Sequence, residues 1–556
     1  MTQTPADNAY ARKPWLSLYD PGIPTTQTRE HADMLGLFRS ALADRAAPAL
    51  IYFDAEISYG ELDAMSDALA VWMTAQGTVA GDRVTIILQN TPHFVIAMVA
   101  AWKIGAIPTP ANPMYRRDEL AKLFTDSTPR VIVAHDDHAP TVLEGLAKAG
   151  LTAAVLSVSG HDFQSRDDAR VLTGRRPVPA GTTDFQAALA AHKGRAPPPH
   201  TPAPDDLGLL LYTSGTTGQP KGAMLRHSGM AFTSQIFRDW GPVPAGSSIL
   251  GIAPLFHITG IIAHVGVAFS AKAPLILFYR FEPSLVLDTI RERRPTFTGG
   301  AITAFNALMN APGVSPADFA SFDGLMSGGA PIAPALADAI EERLGQAIFP
   351  AYGMTETTSP THIGPRRRRP PVDPATGALS IGIPIQDTEA MIAGDDGQPL
   401  PPGEIGEVWM RGPQIMAGYW NKPEQTAEAL YDGWMRSGDV GFMDPEGWFY
   451  LVDRKKDMIS ASGFKVWPRE VEDVLIAHPA VREAAVIGEP DAYRGETVKA
   501  FVSFTPGQTA TLEEITAFCR ERLASYKVPR RIEVIDELPK TLTGKIQRVE
   551  LRKPAG

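Results

Sequence analysis

The sequence has little of what marks disulfide-bonded, nucleic-acid-binding or membrane-spanning proteins. Cys519 is the only cysteine among 556 residues, which excludes an internal disulfide and suggests a reducing compartment such as the cytoplasm. The net charge is −10, so the overall charge offers a nucleic acid no electrostatic attraction. Residues Met1–Pro14 are polar and lack the apolar core of a signal peptide, so none is expected.

Long uninterrupted apolar runs are also missing. The most apolar region, Ile249–Phe278, contains Pro254, His257, His264 and Lys272. A membrane-spanning helix needs about 20 predominantly apolar residues. We therefore expect this region to form a buried strand, loop, helix and second strand, and we expect no integral membrane segment.

Length and the order of predicted elements indicate an α/β protein with more than one domain. A chain of 556 residues is too long for one hydrophobic core. Strand and helix patterns alternate over residues 83–158 and again over residues 207–352, which predicts two βαβ-type subdomains. Five prolines in Arg195–Asp206 predict an extended connector between them.

The remainder of the chain has a different pattern. From Ser380 onward short strands and turns predict a small β-rich subdomain. The charged segment Asp453–Asp457 then precedes about 100 residues, a usual size for one domain. We predict a large N-terminal domain over residues 1–452, a hinge at 453–457 and a small mobile α+β domain over 458–556.

One loop of unusual composition follows the apolar run Leu207–Leu211. It is rich in glycine and hydroxyl side chains and has one lysine, and it reads Tyr212-Thr213-Ser214-Gly215-Thr216-Thr217-Gly218-Gln219-Pro220-Lys221-Gly222. Glycine lets phosphate oxygens approach the backbone, and N–H groups, hydroxyls and the lysine supply donors. The spacing differs from that of the common P-loop, because Pro220 precedes Lys221. The loop predicts a polyphosphate site, although a flexible surface turn has a similar composition.

Further motifs occur in a fixed order along the chain. They are Pro254-Leu255-Phe256-His257, Tyr352-Gly353-Met354-Thr355-Glu356, Ser437-Gly438-Asp439, Asp453-Arg454 and Pro539-Lys540-Thr541-Leu542-Thr543-Gly544-Lys545. Together with the phosphate loop they resemble the adenylate-forming superfamily of acyl-CoA synthetases, luciferases and peptide-synthetase adenylation domains. The resemblance runs from about Trp15 to Leu551. It is closest to bacterial medium- and long-chain fatty acid–CoA ligases around Val452–Pro468.

The resemblance implies a reaction in two steps, with ATP, Mg²⁺ and coenzyme A as partners. A carboxylate attacks the α-phosphorus of ATP to give acyl-AMP and pyrophosphate. A thiol then attacks the acyl carbonyl and expels AMP. The first step brings an anion to a polyanion, so the site must supply donors and cations.

The resemblance also assigns roles to individual residues. Those implied for the phosphates are Thr213, Ser214, Gly215, Thr216, Thr217, Gly218, Lys221 and Thr355. Those implied for adenine and ribose are Gly329, Ala330, Pro331, Tyr352, Gly353, Asp439 and Arg454. Glu356, together with Thr213, is implied as a ligand of Mg²⁺, which prefers oxygen.

The small domain is implied to supply groups in two orientations. Lys545 would bridge the carboxylate and the α-phosphate during adenylation, where charge develops. Gly463 would line the tunnel for the thiol, and Lys456 occupies the family's hinge position.

The acid is expected to enter a pocket of small, mostly uncharged residues. The residues implied are His257, Thr259, Gly260, Ala263, Gly299, Gly300, Gly328, Ala351 and Met354. Such a lining favours an apolar tail, because it offers no partner to a second charge. A medium- or long-chain fatty acid is therefore the expected substrate. The methyl group of Ala351 narrows the pocket, which leaves an aryl or short-chain acid open.

Several alternatives remain at this stage. The protein could instead load a carrier protein from acyl-AMP, or it could be a non-catalytic nucleotide-binding scaffold; intact Lys221, Glu356, Asp439 and Lys545 disfavour the scaffold. We expect a monomer or homodimer. His135-Asp136-Asp137-His138 is predicted to be a solvated loop rather than a metal site. The run Arg366–Arg369 is predicted to be solvated, with contact to ATP or CoA phosphates as the alternative.

Overall fold

A computed structural model describes residues 9–213, 220–241, 243–244, 246–454, 457–461, 464–491, 495–541 and 546–552. Its α-helices are α1 (Met34–Ala41), α2 (Tyr59–Ala75), α3 (Pro92–Lys103), α4 (Arg117–Ser127), α5 (Ala139–Ala149), α6 (Phe185–Ala191), α7 (His227–Trp240), α8 (Val267–Ala271), α9 (Pro283–Arg293), α10 (Ile302–Met309), α11 (Pro334–Leu344), α12 (Pro423–Ala429), α13 (Pro468–Ile476), α14 (Leu512–Arg520) and α15 (Arg548–Leu551).

The strands up to the middle of the chain are β1 (Pro48–Tyr52), β2 (Ala55–Ser58), β3 (Arg83–Ile87), β4 (Ile107–Pro110), β5 (Val131–His135), β6 (Ala154–Val158), β7 (Thr183–Asp184), β8 (Leu207–Thr213), β9 (Lys221–Arg226), β10 (Ile249–Leu250), β11 (Leu275–Leu277), β12 (Gly299–Gly300) and β13 (Leu325–Gly328). The later strands are β14 (Ile348–Met354), β15 (Ser359–Ile363), β16 (Ser380–Pro384), β17 (Glu389–Ala393), β18 (Gly406–Arg411), β19 (Leu430–Tyr431), β20 (Trp434–Met443), β21 (Phe449–Arg454), β22 (Ile459–Ala461), β23 (Phe464–Val466), β24 (Val481–Asp491), β25 (Gly495–Phe504) and β26 (Arg531–Val534).

The first predicted subdomain is a parallel sheet with strand order β4-β3-β5-β6-β7. Helix α2 begins at a capping box, in which Ser58 Oγ accepts from the N–H of Glu61 and the Glu61 carboxylate accepts from the N–H of Ser58. Helix α3 is buried along its whole length, as its continuous apolar sequence requires.

A second, larger sheet combines parallel and antiparallel strands. Its order is β12-β13-β14-β15-β16-β21-β20-β18-β17, and β12, β13 and β14 are parallel to one another. The β-rich part after Ser380 therefore extends this sheet through the antiparallel pairs β14–β15 and β15–β16. This continuity places residues far apart in sequence around one sheet edge.

The apolar region Ile249–Phe278 has the predicted strand, loop, helix and strand. Strands β10 and β11 are parallel neighbours, and between them the π-helix Gly260–Gly266 leads directly into α8. Across the described residues, no helix combines the length and apolarity needed to span a bilayer.

The residues after the predicted hinge have a hydrophobic core of their own. It includes Ile459, Val471, Val486, Ile515 and Cys519, which belong to β22, α13, β24 and α14. Burial raises the pKa of the Cys519 thiol to about 11, which fits a packing role. The domain limits at 453–457 stay a prediction.

Candidate active site

The predicted adenine shelf and acyl pocket lie at the carboxyl ends of three parallel strands. Gly299 and Gly300 form β12, Gly328 ends β13 and Met354 ends β14. Gly329, with φ of 81°, starts the partly exposed turn Gly329–Pro331 directly after β13. Ligands of parallel α/β sheets bind at this edge, so the two predicted subsites share a favourable place in the fold.

The predicted adenine and ribose residues are joined by a hydrogen bond. The Tyr352 hydroxyl donates to Oδ2 of Asp439 at 2.8 Å, which links β14 to β20. Asp439 pairs in register with Arg454 across β20 and β21. The Ser437 hydroxyl accepts from the N–H of Asp439 at 3.0 Å and fixes the turn before it. This arrangement holds the Asp439 carboxylate beside the predicted shelf.

The predicted Thr355 and Glu356 lie on a tightly held turn after β14. Thr357 Oγ1 accepts from the N–H of Met354 at 2.9 Å and donates to the carbonyl of Ser359 at 2.8 Å. A Cβ atom at Gly353 would lie 1.7 Å from the Ser359 carbonyl oxygen, so only glycine fits there. The turn therefore fixes the direction in which Glu356 leaves the sheet.

The phosphate loop connects the two strands of an antiparallel hairpin. Thr213 ends β8 and pairs in register with Lys221, which starts β9. Next to the loop, the Tyr212 hydroxyl donates to Oδ2 of Asp126 at 2.6 Å. Burial, followed by the Asp126 carboxylate, raises the pKa of Tyr212 well above its ordinary value, so the phenol stays a neutral donor.

Tyr419 connects the hairpin to the Glu356 turn, and the sequence motifs did not predict it. Its hydroxyl donates to Oε1 of Glu356 at 2.8 Å, and its ring centroid lies 5.2 Å from Nζ of Lys221. The backbone of its segment bonds to both neighbours, since Met224 N–H donates to the Gly418 carbonyl and Met416 N–H to the Glu356 carbonyl. The only sequence signal is an aromatic pair after glycine, Gly418-Tyr419-Trp420.

The predicted acyl-pocket glycines face two different surroundings. A Cβ atom at Gly299 would lie 3.4 Å from Cβ of Ala263, which is ordinary contact. A Cβ atom at Gly300 would lie 2.6 Å from Cδ1 of Ile252. A Cβ atom at Gly328 would lie 2.3 Å from the carbonyl oxygen of Ala351. Gly299 therefore lies beside Ala263, Gly328 is required by its approach to the backbone of Ala351, and a side chain at Gly300 would displace Ile252. The lining of an acyl pocket by these residues stays a prediction.

The loop that carries His257 is held from two sides by residues that the motifs did not predict. Asn90 Nδ2 donates to the carbonyls of Gly251 and Ala253, and Asn90 Oδ1 accepts from the N–H of Leu255. His264 Nε2 accepts from the N–H of Ala253 at 3.0 Å. At the loop's end the half-buried His257 accepts from the N–H of Thr259 at 3.3 Å. The π-helix Gly260–Gly266, which follows Thr259 and includes Ala263, thus packs directly on this loop. A Cβ at Gly260 would lie 2.1 Å from the Pro254 carbonyl oxygen.

Other predicted residues lie outside the described part of the chain. These are Ser214, Gly215, Thr216, Thr217 and Gly218 of the phosphate loop, and Lys456, Gly463 and Lys545. Their roles stay predictions, as does the role of the Arg454 side chain.

Two predictions of solvated loops are wrong in part. His135 is buried at the end of β5, where its Nε2 accepts from the N–H of Gln89 at 3.0 Å. The Arg366 side chain is only 16% exposed; it pairs with Asp323 and lies over the ring of Phe349. Hydrophobic neighbours cover both side chains, which a count of local charges does not show.

The residues around Glu356 suit a hard cation that is shared with phosphate. Within the described ranges, no group of three or more His, Cys, Asp or Glu residues could hold a metal by itself. Mg²⁺ bound to nucleotide commonly uses one or two protein oxygens, with phosphates and water completing its shell. The Glu356 carboxylate and the Thr213 hydroxyl provide oxygens of that kind.

The α/β fold, the glycine-rich loop of the hairpin and the fixed Thr355–Glu356 turn are typical of adenylate-forming enzymes. The sequence profile of AMP-binding enzymes matches residues 37–420, and that of the AMP-binding enzyme C-terminal domain matches residues 470–545. The chain belongs to the AMP-binding enzyme family. The predicted superfamily and the predicted class of acid–thiol ligase are confirmed.

Relatives with assigned activities match almost the entire chain. A long-chain-fatty-acid–CoA ligase of Bacillus subtilis is 34% identical over 97% of this chain and 98% of its own length. A feruloyl-CoA synthase of Amycolatopsis is 36% identical over 93% of this chain and 98% of its own. The crystal structure of ATP-bound MatB from Rhodopseudomonas palustris superposes with a TM-score of 0.83 at 28% identity, covering 94% and 98% of the two chains. The predicted fold class is confirmed.

Proposed function

We propose that the protein joins a medium- or long-chain fatty acid to coenzyme A, with ATP cleaved to AMP and pyrophosphate through an acyl-AMP intermediate. The similarity to the long-chain-fatty-acid–CoA ligase supports an aliphatic acid. Gly299 and Ala263 are small and uncharged, and a Cβ at Gly299 would lie 3.4 Å from Cβ of Ala263; this supports an apolar tail.

One observation carries this proposal above the others. Contacts and strand pairs connect Thr213 and Lys221 to Glu356, and Tyr352 to Asp439. Glu356 and Tyr352 are joined along the chain, because the Glu356 turn directly follows β14. Tyr419 is the link between Lys221 and Glu356. These links between separate segments support a shared site for one nucleotide.

Different residues bind different parts of the nucleotide. Lys221 and the phosphate loop bind the β- and γ-phosphates, and Thr355 binds the α-phosphate. The Asp439 carboxylate accepts from the ribose hydroxyls, since it has two oxygens for two donors. Glu356 and Thr213 would hold Mg²⁺, which neutralises phosphate charge when bound. Lys545 stabilises the charge that develops as the carboxylate oxygen attacks the α-phosphorus.

The test measures AMP and pyrophosphate release by the purified protein with ATP, Mg²⁺ and a panel of acids. The panel contains aliphatic acids of graded length and aromatic acids such as cinnamates. We expect AMP release to require both a fatty acid and coenzyme A. Preference for aromatic acids would favour the second candidate, an aryl acid–CoA ligase, for which the feruloyl-CoA synthase is the supporting relative. AMP release only with a carrier protein would indicate a carrier-loading ligase.

Two variants separate the half-reactions. Lys545→Ala should abolish pyrophosphate exchange and spare thioester formation from supplied acyl-AMP. Gly463→Leu should do the reverse, because a side chain there would block the thiol. Equal loss of both half-reactions in both variants would contradict the two-orientation scheme. Cytoplasmic location and a monomeric or homodimeric state stay predictions.

A further inference from the structure

Tyr419 contacts two residues of opposite charge that the proposed function places on the same polyphosphate. Its hydroxyl donates to Oε1 of Glu356 at 2.8 Å. The face of its ring lies 5.2 Å from Nζ of Lys221, within the range of a cation–π contact. The side chain is 8% exposed, so its position is set by packing rather than by solvent.

The backbone of the segment is fixed without the phenol. Trp420 N–H donates to the Gly222 carbonyl at 2.8 Å, and Met224 N–H donates to the Gly418 carbonyl at 2.9 Å. Tyr419 N–H donates to Oγ1 of Thr426 at 2.8 Å. Phenylalanine could therefore fill the same space, and the hydroxyl is not needed to hold the segment in place.

A phenol has a property that a charged side chain at this position would lack. It donates to the carboxylate and presents a negative ring face to the ammonium group, yet it neutralises neither charge. Among the described residues, the contact that the structure shows between Lys221 and Glu356 runs through Tyr419. The cation stays available for phosphate oxygen, and the anion stays available for a metal ion.

We propose that Tyr419 is a positioning residue that holds Glu356 and Lys221 apart in the orientations needed to receive a metal–triphosphate. This inference rests on the proposed function, since it presumes that both residues serve the nucleotide. Beyond the proposed function, it assigns separate roles to two parts of the side chain. The hydroxyl orients Glu356 for the metal ion, and the ring orients Lys221 for the phosphates.

The experiment compares Tyr419→Phe, which keeps the ring, with Tyr419→Leu, which removes ring and hydroxyl. Calorimetry measures the Kd of ATP with Mg²⁺ and with EDTA, and circular dichroism measures the melting temperature. Tyr450→Phe is the matched control, because Tyr450 is also buried and donates to a carboxylate, Oδ2 of Asp444 at 3.1 Å.

For Tyr419→Phe we expect the Kd of Mg·ATP to rise about tenfold, as for loss of a hydrogen bond to a charged group, with little change in EDTA. Tyr419→Leu should weaken binding under both conditions, because Lys221 also loses its support. Tyr450→Phe should change neither Kd.

Four results would overturn the inference. The first is unchanged Mg·ATP binding by Tyr419→Phe, and the second is an equal loss of ATP affinity in that variant with Mg²⁺ and with EDTA. The third is an equal loss of Mg·ATP affinity in Tyr450→Phe, and the fourth is a Tyr419→Phe protein that fails to fold. The last result would give the hydroxyl a purely structural role. If the unaltered protein bound no nucleotide, the proposed function would fail first, which distinguishes the two failures.

Discussion

The Tyr352 hydroxyl donates to the Asp439 carboxylate at 2.8 Å and so joins the end of β14 to β20. We expect Tyr352→Phe to raise the KM for ATP about tenfold with a smaller change in kcat, because one hydrogen bond to a charged group orients the ribose acceptor. Steady-state kinetics with ATP and with 2′-deoxy-ATP check this. The substitution should raise the KM for 2′-deoxy-ATP less than the KM for ATP, because the deoxy nucleotide has only one ribose hydroxyl to donate to Asp439. Equal losses for both nucleotides would contradict the assigned role of Asp439.

Gly299 offers a test of the acyl pocket that separates selectivity from stability. We expect Gly299→Val to keep the fold and to lower kcat/KM for long acids more than tenfold, because a single methylene in an apolar pocket is worth about 10- to 200-fold. The basis is that its Cβ would make only ordinary contacts with Ala263 and Met326. Assays across the graded acids measure the change.

Gly300→Ala is the matched control for that variant. Its Cβ would meet Cδ1 of Ile252 at 2.6 Å, on the other side of the strand. The control should lower the melting temperature and leave the order of preference among acids unchanged. If Gly299→Val lowered kcat/KM by the same factor for every acid, Gly299 would not line the acyl pocket.

Sequence patterns predicted the elements of this fold because each depends on local signals. Alternating strands and helices over residues 83–158 and the strand–loop–helix–strand of Ile249–Phe278 appear as expected. The continuity of β14 with the later β-rich strands was not predictable, because strand pairing such as His362 with Pro384 joins distant segments. The alternation of residues within a strand does not indicate which distant strand it will pair with.

The same distinction applies to the site. Short motifs predicted Lys221, Glu356 and Asp439 as nucleotide-binding residues, because glycine-rich loops and paired polar residues are visible in a few consecutive positions. Asn90 has no such local motif, and Tyr419 has only the aromatic pair after Gly418, because the contacts of both residues come from distant parts of the fold. His135 is an example of the opposite error. The polar sequence His135–His138 predicts a solvated loop, yet the His135 side chain is buried.

Arg548 follows the predicted catalytic lysine by three positions and pairs with three carboxylates near the predicted hinge. Its guanidinium lies 2.8 Å from Glu472, 3.3 Å from Asp457 and 3.6 Å from Asp453. We expect Arg548→Met to lower the free energy of unfolding by about 3–5 kcal/mol, because it leaves buried carboxylates uncompensated. Urea unfolding near neutral pH measures the loss.

The pH dependence of that loss gives an independent check. Burial raises the pKa of Glu472 above its ordinary value even with Arg548 present. Removing the arginine raises this pKa further, so the carboxyl binds a proton more readily in the folded state. The destabilisation should therefore shrink as the pH falls toward about 5. Arg552→Met, which removes only a partly exposed contact to Asp457, should cost much less at either pH.

Three buried histidines should make the fold sensitive to mild acid. Burial lowers the pKa of His135, His264 and His362 from 6.5 to about 3. Each stays neutral when folded and binds a proton when unfolded between these values, so its contribution to stability is complete above pH 6.5 and declines below it. The free energy of unfolding should fall by about 1.4 kcal/mol per pH unit for each histidine.

His264→Gln tests this slope at one position. Glutamine can still accept from the N–H of Ala253, which His264 Nε2 now does at 3.0 Å, but it cannot be protonated. The variant should be less stable than the parent near neutral pH, because packing is altered. As the pH falls from about 6 to about 4, the difference should narrow by about 1.4 kcal/mol per unit. A difference that stayed constant over this range would show that His264 is protonated in the folded protein.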